Sequence, residues 1–154
     1  PQGQSEPKRS GTSDDADRVG SHLASECMVR VMGESLALGL EGTHEFVVDG
    51  QLVTDVGGTI NASVLSTPGM IGMMEFTASQ LVYPRLDPGK ATVGFEVCIK
   101  HVAAVAQGAK CTARARLEEI VDGRKLRFAV EVVSEDGRTI GVGNHERRII
   151  KVEG

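Results

Sequence analysis

Four long runs in the second half of the chain alternate apolar and polar residues with a period of two, as strands half-buried in a sheet do. Ala91 to His101 places Val93, Phe95, Val97, Ile99 and His101 on one face and Thr92, Gly94, Glu96, Cys98 and Lys100 on the other. Ala109 to Val121 sets Thr112, Arg114, Arg116 and Glu118 on a polar face, and Lys125 to Glu135 aligns Leu126, Phe128, Val130 and Val132. The fourth run is Thr139 to Val152, and the tight-turn dipeptides Asp122-Gly123 and Asp136-Gly137 separate the last three. The pattern therefore predicts a four-stranded antiparallel meander. A shorter strand, His44 to Val48, comes earlier and ends at the turn signal Asp49-Gly50. Gln51 to Ser66 holds Gly57-Gly58 and small polar residues, and reads as a loop with short extended pieces.

Between that loop and the long strands the period changes to that of a helix. In the segment Thr67 to Tyr83, Ile71, Ala78 and Val82 fall on the same side as Glu75, while Met70, Met73, Met74, Thr77 and Leu81 make a second apolar stripe. A helix apolar nearly all round is expected to be buried. Pro84 and Asp87-Pro88-Gly89 stop it. A sheet with one such helix must wrap it to bury both surfaces. The expected class is α+β, a hotdog fold with an antiparallel sheet of about five strands wrapped around one long central helix. Residues 1–40 are expected to be an N-terminal extension and 41–154 the folded domain. Residues 1 to about 25 are polar and aperiodic, reading as disordered, while 26–42 fit a short helix or an extended lead-in equally well.

At 154 residues the chain is large enough for a real core. A net charge of −4 without long basic runs argues against a nucleic-acid binder. No stretch approaches the roughly 18 apolar residues of a membrane span. Cys27, Cys98 and Cys111 are odd in number and lack CxxC spacing, which disfavours a disulfide framework or a zinc site. With no secretory leader pattern, a reducing, cytoplasmic location is the expectation.

Glu75 is the only charged residue between Asp55 and Arg85. A lone carboxylate in a buried helix is costly unless paired, hydrogen-bonded or protonated, and desolvation moves such a group toward acid–base work. His101 ends its strand on the face that meets the helix. A lone histidine there is more often a structural residue, but it shares its side of the fold with Glu75. His145, in Gly143-Asn-His-Glu-Arg-Arg148, lies in a charged strand expected to be solvated or an interface. Thr67 followed by Pro68 reads as an N-cap and an ordinary helix start.

Three stretches then carry a resemblance. Thr67-x-Gly69-Met-x-Gly72-x-Met74-Glu75, the run GFEVCIKH from Gly94 to His101, and Gly143-x-His145-Glu146-Arg147 resemble the fluoroacetyl-CoA thioesterase family, within the wider hotdog acyl-CoA thioesterases. The resemblance extends from about Gly42 to the C-terminus and includes the opening strand Thr43 to Val48. It implies hydrolysis of an acyl-CoA thioester to a carboxylate and free CoA, with no metal or redox cofactor, since CoA is part of the substrate. It implies a homodimer, or a dimer of dimers, whose sheets join side by side. Residue by residue, Glu75 would be nucleophile or general base, Thr67 would orient groups at the carbonyl, and His101 would protonate the leaving thiolate or deliver water. Gly69, Gly94 and Arg147 would bind substrate, and Lys100, Arg114 and Arg116 are further candidates for the CoA phosphates. Pro68 stands where the fluoroacetyl-specific member has glycine, and Asn61 and its neighbours replace an aromatic-bearing lid. A thioesterase without fluoroacetyl specificity is expected. Two other readings remain open: a non-catalytic acyl-CoA-binding hotdog domain, and an enoyl-thioester hydratase, for which the usual Asp near the helix start is absent.

Overall fold

The structure, a computed structural model, describes residues 35–153. Most of the stretch expected to be an N-terminal extension, and Cys27 with it, lies outside the described residues. Within them, Leu36 and Leu40 pack on the core, and Gly39 and Leu40 exchange backbone hydrogen bonds with Leu117.

Strands β1 (Glu41–Val47), β2 (Val53–Thr54) and β3 (Val64–Leu65) precede the helix α1 (Thr67–Val82), and β4 (Lys90–His101), β5 (Lys110–Val121), β6 (Lys125–Ser134) and β7 (Thr139–Lys151) follow it. Five of these form one antiparallel sheet in the order β1-β5-β6-β7-β4, with β2 and β3 paired as a small ribbon. The class and architecture are those read from the sequence: one long helix packed against a five-stranded antiparallel sheet.

The strand order departs from the expected four-stranded meander. Asp122 and Gly123 both take positive φ, the two-residue turn that forces β5 and β6 to be neighbours. No such turn joins β4 to β5. Residues 102–109 cross three strand spacings, about 14 Å, bury Val105 and bond to Ser63 and Leu65 on the way. Only β5, β6 and β7 form a meander; β4 lies beyond β7 as an edge.

Helix α1 is less enclosed than its composition suggested. Met70, Met74, Ala78, Leu81 and Val82 are buried against Ala113, Ala115, Leu117, Leu126, Phe128, Val130 and Val132. Each large side chain so removed from water contributes roughly 1.5–3 kcal/mol. Gly72, Phe76, Gln80 and Tyr83, spaced three and four apart, form a stripe exposed in the single chain. The helix is buried on one side only.

A second correction concerns β4. A bulge between Gly94 and Glu96 breaks its alternation, so that Gly94 pairs with Arg147 but Glu96 pairs with Glu146. Thr92 and Gly94 before the bulge, and Val97, Ile99 and His101 after it, face the helix. Val93 and Phe95, expected on that same face, are exposed on the opposite one. The inserted residue reverses the sense of inward and outward.

Candidate active site

The helix start decides what Thr67 can do. Ser66, not Thr67, is the N-cap: its Oγ accepts the Gly69 N–H at 3.0 Å. Thr67 is then the first helical residue, and its hydroxyl, free of the capping role expected for it, lies 2.8 Å from His101 Nδ1. His101 Nε2 is shielded from solvent and has no hydrogen-bond partner among the described residues. A buried imidazole nitrogen left unpaired is costly. Gly69 has a structural account. A Cβ there would fall 2.8 Å from Ser66 Oγ and 3.0 Å from the Leu52 backbone, and Ser66 N–H donates to the Leu52 carbonyl at 2.7 Å.

Eight residues along, about 12 Å at 1.5 Å per residue, Glu75 heads a second group. Its burial falls short of the expectation, because the side chain is 39% exposed in the single chain. Its carboxylate lies over Gly94, where a Cβ would come within 2.7 Å of Oε2. The space left by Gly94 is thus filled by Glu75 itself. Arg147 NH1 is 3.7 Å from the same oxygen.

Arg147 does not swing freely. Its Nε donates to Thr92 Oγ1 at 2.9 Å and NH2 donates to the Thr92 carbonyl at 3.0 Å. NH1 is also 3.2 Å from His145 Nε2. Burial pulls the Arg147 pKa down from its ordinary value, while the Glu75 carboxylate pushes it back up. His145 overturns the expectation of a solvated strand: it is 2% exposed, with Nδ1 2.8 Å from the Glu96 carbonyl and its ring stacked near Phe128. Burial lowers its pKa first; the Glu96 carbonyl raises it, Arg147 lowers it and Glu75 raises it. One signal in the sequence pointed here, the motif Gly143-Asn-His-Glu-Arg147, but alternating charge suggested water or an interface instead.

The fold therefore assembles Thr67 with His101, and Glu75 with Gly94, Arg147 and His145, as two groups along one side of α1. Lys100, Arg114 and Arg116 join neither. Arg114 and Arg116 stand on the outer face of the sheet, paired with Glu131 at 3.2 Å and with Glu41 and Glu118 at 3.7 Å. No helix among the described residues is long and apolar enough to cross a membrane.

Comparison with known proteins adds to this geometry. Residues 47–153 match the fluoroacetyl-CoA-specific thioesterase family. A fluoroacetyl-CoA thioesterase of Streptantibioticus cattleyicolor is 37% identical over 91 residues, 58% of this chain and 63% of that protein's length. The solved fluoroacetyl-CoA thioesterase FlK superposes with a TM-score of 0.70 at 30% identity, covering 77% of this chain and 91% of that one. A thioesterase superfamily member from Thermus thermophilus gives a TM-score of 0.69 at 28% identity, over 77% of this chain and 86% of its own.

Proposed function

The chain belongs to the fluoroacetyl-CoA-specific thioesterase family, and on that footing we propose that it hydrolyses an acyl-CoA thioester to a carboxylate and free CoA. Glu75 acts as nucleophile or general base at the thioester carbonyl. Thr67 holds His101 and orients the carbonyl, and His101 passes a proton to the departing thiolate. The observation that carries this reading is the 2.8 Å Thr67–His101 contact beside a helix cap made by Ser66. A threonine kept merely for helix capping would have its hydroxyl on the Gly69 N–H. This reaction draws on no metal or redox group, CoA being part of the substrate. The loop before the helix carries Val56 and Ile60 and no aromatic residue, which favours an acyl group other than fluoroacetyl.

Thr67 and Glu75 start about 12 Å apart along the helix axis, whereas reacting atoms stand about 3–3.5 Å apart. A homodimer joined along β4 resolves this. Among the described residues that 12-residue strand pairs on one side only, with β7, and leaves Phe95 and Val93 exposed, a template for pairing with another copy. Inward residues must pair with inward residues. In the register centred on Cys98, Val97 meets the partner's Ile99, and the bulge brings Gly94, with Glu75 above it, opposite the partner's His101. Each site then draws Glu75 from one protomer and the Thr67–His101 pair from the other.

The test is CoA release, followed with a thiol reagent, across short, branched, aromatic and halogenated acyl-CoAs. Turnover lost in Glu75→Gln supports hydrolysis; saturable binding without thiol release turns the reading into an acyl-CoA-binding module. Mixing inactive Glu75→Gln and His101→Ala chains separates the two geometries. Shared sites regain about a quarter of wild-type activity by random pairing of subunits, whereas sites within one chain regain none.

A further inference from the structure

Resting on the thioesterase reading above, we propose that His145 and Thr92 are positioning residues that clamp Arg147 as a fixed seat for the Glu75 carboxylate, so that Arg147 serves the reacting carboxylate rather than the CoA phosphates. The donor and acceptor roles leave one arrangement. The Glu96 carbonyl can only accept, so His145 Nδ1 carries the proton of their 2.8 Å bond. A guanidinium can only donate, so His145 Nε2 offers its lone pair to Arg147 NH1 at 3.2 Å. His145 is therefore a neutral imidazole in a fixed tautomer, held by a backbone group from β4. Thr92, also on β4, takes Nε and NH2 of the guanidinium. Three of the five N–H donors are thereby committed, and NH1, which keeps a second N–H, stands 3.7 Å from Glu75 Oε2. Gly94 completes the seat, since any Cβ there would occupy the carboxylate's place.

Among the described residues, the charged groups that act on His145 are Arg147 on its own strand and Glu75 on α1, beside the Phe128 ring of β6 and the Glu96 carbonyl of β4; Glu96, Glu118, Glu119, Arg127 and Glu146 line a small cavity of about 170 Å³ that His145 also borders. Protonating His145 removes the acceptor and sets a cation against Arg147, which releases the guanidinium. Burial resists that proton, so the seat persists below the ordinary histidine range and fails as the pH drops further.

The experiment compares CoA release by wild type, His145→Leu, His145→Gln and Thr92→Val, together with imidazole ¹⁵N shifts of the unliganded wild-type protein. His145→Leu should lower kcat by about tenfold or more with KM within about twofold. His145→Gln, whose Oε1 can reach the Nε2 position, should restore most of it and hold kcat to lower pH than wild type. Thr92→Val, a near-isosteric change on an edge strand, should lower kcat in the same way and decides the matter if His145→Leu does not fold. A rise in KM at constant kcat, or kcat unchanged in both His145→Leu and Thr92→Val, overturns the clamp and returns Arg147 to substrate binding. The ¹⁵N spectrum is independent of turnover: a neutral ring protonated at Nδ1 supports the clamp even if no thioester is cleaved, in which case the thioesterase reading alone falls. An imidazolium or an Nε2–H ring at pH 7 overturns the clamp whatever the enzyme hydrolyses.

Discussion

Glu146 and Arg147 are neighbours on β7 and equally buried at 6% exposure, yet they enter opposite kinds of charge cluster. On the outer face, Glu146 Oε1 accepts Arg127 Nε at 2.9 Å and Oε2 accepts Arg148 Nε at 2.7 Å. Arg127 goes on to Glu119 at 2.8 Å, and the Arg148 guanidinium lies 3.7 Å over the Phe95 ring. Every charge there has a short, directed partner, and Arg127, then Arg148, holds the Glu146 carboxyl below its ordinary pKa. On the inner face Arg147 is just as tightly held, but among the described residues the carboxylate it faces has a single, 3.7 Å ionic contact and is partly open to water. A carboxylate held by two short, charge-assisted bonds is fixed in place and has much of its charge neutralised. The Glu75 carboxylate, over Gly94 and 3.7 Å from one cation, is less constrained, as the proposed role at a carbonyl carbon or a water requires. Partner count and exposure together separate the carboxylate of the outer cluster from that of the inner one.

The sharpest way to break that contrast is Glu75→Gln, which should cut turnover by about 10³-fold or more with no loss of melting temperature. Retention of most thiol release would place the chemistry elsewhere. Gly94→Ala should come next. The new methyl displaces only the far end of a flexible side chain, so the fold should tolerate it, while kcat falls by about tenfold to a hundredfold because the carboxylate leaves its seat. An unchanged kcat would show that Glu75 reacts from another rotamer. Thr67→Val should lower kcat by about tenfold or more, with Thr67→Ser recovering part of it; equal rates for the two would remove the hydroxyl from the mechanism.

The outer cluster should behave in the opposite sense. Glu146→Gln should lower the melting temperature and leave kcat per folded molecule unchanged, so a fall in kcat would join the two clusters. The smallest effect is the order in which they lose stability with acid. The fold favours neutral His145, so the unfolded chain takes up that proton first, and stability declines as pH falls through about 6.5. Glu146 is favoured ionised; its contribution is complete above the unfolded carboxylate value of about 4.3 and is lost as pH falls below it. Urea unfolding at a series of pH values should resolve two steps, the upper one absent in His145→Gln. A single step in the carboxylate range would contradict the neutral, buried His145.

Legibility in the sequence followed the range of the interaction concerned. The alternation that lines up Leu126, Phe128, Val130 and Val132, the Asp122-Gly123 turn and the helical period from Thr67 are local properties, and all of them appear in the structure. Thr67, Glu75 and His101 stood out as candidates because they lie in local motifs that resemble a family pattern. The strand order was not legible, because residues 102–109 carry no turn chemistry that commits β4 to either neighbour. The bulge was hidden as well, since strict alternation through Phe95 looks the same whether or not a residue is inserted opposite β7. Ser66 and Thr67 are equivalent caps on paper; the Leu52 backbone packed on Gly69 and the His101 ring beside Thr67 distinguish them.

By itself, then, the sequence determined the elements, the buried face of β5 and β6 and the candidate residues for thioester chemistry. The tertiary structure alone decided which of those residues meet. Arg147 is held by Thr92, 55 residues away in the chain, and His145 by Glu96, 49 residues away. A charged side chain reads as solvated until such distant partners are known, because only they offset the cost of removing it from water.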